Sequence, residues 1–170
     1  MATATWFVFR VQVNNHPALL QIEQRKDGTR ASIKFDGQPG WESFEKGLLW
    51  NAQAGVFEAK KQGKTFKAVI NSMGKLSGTV TYLQKGVPRS LGWSGEQFVT
   101  PSEDLPYKQA WRILANGYRA LLELEVLQGG MARGRLTFDK LGAAEVLVDA
   151  YYGVENGLVH FTRTTGNQVF

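Results

Sequence analysis

Antiparallel β-structure curled into an up-and-down barrel is the fold class that this 170-residue sequence predicts. Three observations carry that reading. Apolar and polar residues alternate at period two, turn-forming dipeptides recur at short spacing, and one hairpin pattern repeats within the chain.

The elements follow in order. Over residues 5–13, Phe7, Phe9, Val11 and Val13 fall on one face of a strand. Leu20 with Ile22, and then Ile33 with Phe35, continue the alternation beyond an Asp27-Gly28 turn. Gln62-Gly63, Met73-Gly74 and Lys85-Gly86 mark later hairpins, and Gly129-Gly130, Asn156-Gly157 and Gly166-Asn167 mark the last ones. Residues 108–127 contain good helix formers in Trp111-Arg112-Ile113-Leu114, but Asn116-Gly117 interrupts them, so strands are expected. Leu122, Leu124 and Val126, then Leu136 and Phe138, alternate in the same way. About a dozen strands and at most one short helix are expected.

The repeat sets the organisation. Pro17-Ala18-Leu19-Leu20-Gln21-Ile22-Glu23 matches Arg119-Ala120-Leu121-Leu122-Glu123-Leu124-Glu125 at a shift of 102 residues. Ile33-Lys34-Phe35-Asp36 meets Leu136-Thr137-Phe138-Asp139 after one further residue, and Gly55-Val56-Phe57 meets Gly157-Leu158-Val159. The expected domains are residues 1–98 as a first meander, 99–107 as a Pro-containing linker, and 108–170 as a second, shorter copy packed with the first. A shorter match links hairpins around Gly28, Gly74 and Gly130, and its three-fold spacing suggests a β-trefoil as the alternative. The two-fold match crosses more hairpins, so the barrel is preferred.

Composition narrows the function. Without cysteine there is no disulfide scaffold, thiolate metal site or cysteine nucleophile. His16 and His160 are the two histidines, too few for a histidine-rich metal centre, and no metal or cofactor is expected. No apolar run approaches the roughly 20 residues of a spanning helix. Arg10 lies inside the first apolar stretch and no small-residue cleavage site follows, so a cytoplasmic chain, or one exported without a recognisable signal peptide, is expected. No nucleophile–base set, phosphate loop or dinucleotide motif occurs, so a non-enzymatic protein is expected.

Aromatic residues near turns carry the preferred reading. Trp41, Trp50 with Asn51, Trp93, and Tyr151 with Tyr152 are the candidate ligand contacts, since a ring beside small polar groups can stack on a sugar. That reading is a lectin-like binder of carbohydrate or another small ligand, with sites repeated in the two copies and an oligomer allowed. Core packing is the competing role for the same rings. The runner-up is an isomerase or cyclase, or a ligand carrier, working in a barrel cavity. A third reading rests on charge. Residues 1–98 hold 13 Lys and Arg against 7 Asp and Glu, the excess being densest at Lys60, Lys61, Lys64 and Lys67. Those four are candidate contacts to nucleic acid or another anionic surface, against an ordinary role in solubility.

One stretch has a familiar pattern. Leu76-Ser77-Gly78-Thr79-Val80-Thr81-Tyr82, followed by Leu91-Gly92-Trp93-Ser94-Gly95-Glu96-Gln97-Phe98, resembles the strand phrases of avidin-like and lipocalin-like barrels over about 30 residues. The resemblance implies an eight-stranded meander with any ligand at one open end. The family's ligand-contacting residues have no matched positions here, so biotin binding is not carried over.

Overall fold

The structure, a computed structural model, describes residues 4–99, 106–165 and 169–170. It is almost entirely antiparallel β-sheet, and its contacts divide the chain into two compact units, Met1–Gln97 and Phe98–Phe170. Of the expected linker, residues 100–105 lie outside the described residues, as does the Gly166-Asn167 turn.

The first unit contains β1 (Thr5–Val13), β2 (His16–Arg25), β3 (Gly28–Phe35), β4 (Glu42–Ser43), β5 (Leu49–Asn51), β6 (Val56–Lys61), β7 (Lys64–Ile70), β8 (Lys75–Gln84) and β9 (Val87–Gln97). They form one sheet in the order β4-β3-β2-β1-β9-β8-β7-β6-β5. Hairpins join most neighbours, and the single long-range pairing sets β1 against β9, with Val11 opposite Gly95 and Val13 opposite Trp93. The chain between β4 and β5 draws the two sheet edges together. Phe44 N–H donates to Ala31 of β3 at 3.0 Å, and Glu45 N–H donates to Lys60 of β6 at 2.8 Å. This curling pairs edges that would otherwise invite association with other strands.

The alternation read from the sequence points the predicted side chains inward. Phe9, Leu20, Ile22 and Ile33 are fully buried, and Val11 is 1% exposed. Seven aromatic rings, those of Phe7, Phe9, Phe44, Trp50, Phe57, Phe66 and Trp93, form a connected cluster with centroids 5.0–6.4 Å apart. Edge-to-face geometry predominates, which sets positive ring edges against negative ring faces.

The second unit is a simpler meander of β10 (Tyr107–Ala115), β11 (Tyr118–Val126), β12 (Met131–Phe138), β13 (Ala144–Tyr152) and β14 (Val159–Arg163). A 3-10 turn at Gln128–Gly130 precedes β12. The ambiguous segment is two strands joined at Asn116-Gly117, both with positive φ (50° and 81°), as a tight hairpin turn requires. Ala120, Leu122, Leu124, Val126 and Leu136 build the core. Register shifts flank Asp149, whose φ of 46° marks a bulge in β13. The backbone of Phe170 exchanges two hydrogen bonds with Phe161 of β14, at 2.8 and 2.9 Å.

Both sheets are plain meanders, so the trefoil alternative does not describe this chain. Among the described residues the units differ in strand number, nine against five. They share one local device: Arg10 holds Asp36 at 2.6–2.7 Å through two hydrogen bonds, and Arg112 holds Asp139 at 2.9 Å. Each acid follows the third strand of its meander, and its own N–H donates back to the start of the second, at Pro17 or Arg119.

Candidate functional site

The aromatic residues singled out in the sequence serve packing to different degrees. Trp93 is 3% exposed, and its Nε1 donates to the backbone oxygen of Lys67 at 2.9 Å. Trp50 is half-buried among Phe7, Phe9 and Phe57, and its Nε1 is buried without a hydrogen-bond partner. Asn51 shapes a turn: its Oδ1 accepts from Ala54 N–H, and its backbone oxygen accepts from Gly55 N–H, both at 2.9 Å. Trp41 is half-exposed just before β4.

In the second unit, Tyr151 is buried between Phe98 and His160, with centroids 5.3 and 6.3 Å away. Neighbouring Tyr152 points into the core against Tyr107 and Trp111. Burial there pushes the Tyr152 hydroxyl above the usual phenol range. His160 lies in β14 and is 2% exposed, whereas His16 opens β2 directly after the Asn14-Asn15 turn.

The four lysines do not form one free cationic surface. Lys61 pairs with Glu42, and Lys67 lies 3.8 Å from Glu58. Lys60 and Lys64 are exposed on β6 and β7. Among the described residues, no group of three or more His, Asp or Glu side chains is placed to hold a metal ion, and no helix is long and apolar enough to cross a membrane.

One concavity does collect a residue named from the sequence. It measures about 360 Å³ and is lined by Gln12, Asn14, Asn15, Gly92, Trp93 and Ser94. The β1–β9 pairing builds it by setting Gln12 opposite Ser94 and Val13 opposite Trp93, and Asn14 N–H donates to Gly92 at 3.1 Å. Positive φ angles of 47° and 64° at Asn14 and Asn15 hold the turn that presents their amides. Three carboxamides and a hydroxyl therefore surround a small uncharged space, while the Trp93 ring itself packs inward against Phe57 and Phe66. Sequence reasoning missed Gln12, Asn14 and Asn15. The Asn-Asn pair was the available signal, since asparagine tolerates left-handed backbone, but its nearness to Trp93 depends on a pairing some 80 residues apart in the chain.

A second concavity, of about 770 Å³, overlies β10–β12 and exposes Lys108, Glu123, Glu125, Arg133 and Arg135. Opposite charges face each other there, with Glu125 set between Lys108 and Arg133 across the strands. Such a surface has little preference for ligands of either sign.

The best-defined ion pair of the second unit joins Glu145 to Arg163. The guanidinium donates to Oε2 at 2.8 and 3.1 Å, and Thr165 N–H donates to Oε1 at 2.9 Å. These donors, the Arg163 hydrogen bonds first, outweigh burial and hold the Glu145 carboxyl below the usual glutamate range. A carboxyl depressed in the folded state contributes stability that is present above its unfolded pKa and is lost as pH falls through the folded one. Stability measured by urea unfolding should therefore fall as the pH drops through and below the usual glutamate range, and fall less steeply in Glu145→Gln. Parallel pH profiles for the two proteins would show that this pair makes no such contribution.

Comparison with protein-family models, curated proteins and solved structures finds no match to this chain.

Proposed function

We propose that the protein is a non-enzymatic binding module for a small uncharged polyhydroxyl ligand, of which a sugar unit is the natural example. One observation carries this reading: the concavity formed by Gln12, Asn14, Asn15, Gly92, Trp93 and Ser94. Carboxamides both donate and accept hydrogen bonds, as adjacent sugar hydroxyls do, and no charged group lines the space. Trp93 offers no stacking face, because its ring is packed against Phe57 and Phe66. The proposed site therefore recognises hydroxyls and not ring surface.

The enzyme reading has less to support it. The seven-ring cluster occupies the interior in which a catalytic cavity of the first unit would lie. Carboxylate partners on Lys61 and Lys67 likewise weaken the anionic-surface reading. The matching Arg10–Asp36 and Arg112–Asp139 pairs support the further proposal that the two units repeat one meander. The repeat does not extend to the binding groups, because Asn14-Asn15 corresponds to Asn116-Gly117 and, among the described residues, the second unit has no strand in the place of β9.

A glycan array, followed by NMR titration with its strongest sugar, tests the reading. Binding is expected to shift Gln12, Asn15 and Ser94 signals. Asn15→Gly keeps the positive φ while deleting an amide, and with Gln12→Ala it should weaken binding about fivefold per lost hydrogen bond. An empty array, or undiminished binding by the double variant, would overturn the proposal.

A further inference from the structure

The second unit carries another concavity of different chemistry, about 810 Å³ in volume. Its apolar surface comes from Tyr118, Phe138 and Leu141, at the end of the sheet where the Asn116-Gly117 turn meets the turn after β12. Tyr118 is 61% and Leu141 74% exposed, whereas Phe138 is 9% exposed. Large apolar side chains held open to water around a buried aromatic residue are what an apolar ligand would cover.

The charges around it do not cancel. Arg119, Lys140 and Arg163 line the concavity together with a single acid, Asp139. Glu145 already engages Arg163, whose Cζ also lies 4.9 Å from the centre of the Phe138 ring. Arg112 engages Asp139. Arg119 and Lys140 thus remain, among the described residues, as two cations without a carboxylate partner beside an apolar surface.

We infer that this concavity binds a single-chain amphipathic carboxylate, its apolar body against Tyr118, Phe138 and Leu141 and its head group at Arg119 and Lys140. Apolar burial supplies affinity and the cation pair supplies selection for the anion. The site is separate from the amide-lined concavity of the first unit and does not depend on a sugar binding there.

Titration of the full chain with dodecanoate below its micelle concentration, read by NMR and calorimetry, is the test. Dodecyltrimethylammonium supplies the same chain with the opposite charge, and anionic phospholipid vesicles supply a membrane surface. One saturable dodecanoate site is expected, with signals of Tyr118, Phe138 and Leu141 shifting and affinity for dodecanoate at least about tenfold above that for the cationic amphiphile. Arg119→Gln with Lys140→Gln should abolish that preference, and Leu141→Ser should weaken both amphiphiles. Circular dichroism of each variant confirms that it is folded, and the wild-type comparison of the two amphiphiles stands without any variant. Equal affinity for the two amphiphiles, absence of dodecanoate binding, vesicle binding without dodecanoate binding, or a charge preference that survives the double substitution would overturn the inference.

Discussion

Gly78→Ala should destabilise the protein by about 3 kcal/mol, through overpacking together with a lost hydrogen bond. A Cβ at this position would lie 1.9 Å from the Lys67 oxygen, 2.7 Å from Trp93 Nε1 and 2.8 Å from the Ala68 Cα. Two of those three atoms are backbone of the neighbouring strand, so no side-chain rotation relieves the clash. Gly78 stands between Ala68 on β7 and Trp93 on β9. It leaves the gap through which the indole N–H reaches Lys67. Either the strands separate or the indole withdraws, and withdrawal leaves a buried donor without an acceptor. Gly40→Ala is the matched control, since its Cβ would meet nothing within 4 Å. It should change stability by less than about 0.5 kcal/mol. Urea unfolding followed by tryptophan fluorescence reads both, and similar midpoints would refute the argument.

Leu136→Ala should cost about 2–5 kcal/mol, as large-to-small changes in a closed core do. Leu136 is fully buried and lies opposite Leu122. The neighbouring strands hold it on both sides, so a cavity there has little room to collapse. Leu141→Ala removes the same atoms from a residue 74% exposed in the turn after β12 and should cost less than about 0.5 kcal/mol. The contrast separates burial from residue type. It also gives the dodecanoate experiment a folded variant with a reduced apolar surface. Equal losses from the two leucines would mean that the second unit does not pack as described.

The architecture was largely legible because strand periodicity is a local property. Phe9, Leu20, Ile22 and Ile33 alternate in the chain and are buried together. Asn116-Gly117 ended one strand and began the next because those residues accept left-handed backbone. The candidate site was much less legible. Trp50, Trp93, Tyr151 and Tyr152 advertise ring surface in the sequence, but a residue's type carries no information about its direction. All four rings pack in one core or another. The pairing of the lysine cluster was equally hidden in the sequence, since Glu42 meets Lys61 only after the sheet curls.

Alternation, turn chemistry and the absence of cysteine were enough to establish an antiparallel, disulfide-free meander, because each acts over a few residues. Tertiary structure alone decided which polar groups share a space. Gln12 meets Ser94 through the β1–β9 pairing, and Arg163 reaches Glu145 across a hairpin. Arg119 and Lys140 are left over only because Arg112 takes Asp139. These are long-range pairings, set by sheet closure and by competition among charges, and neither is written in the local pattern of the chain.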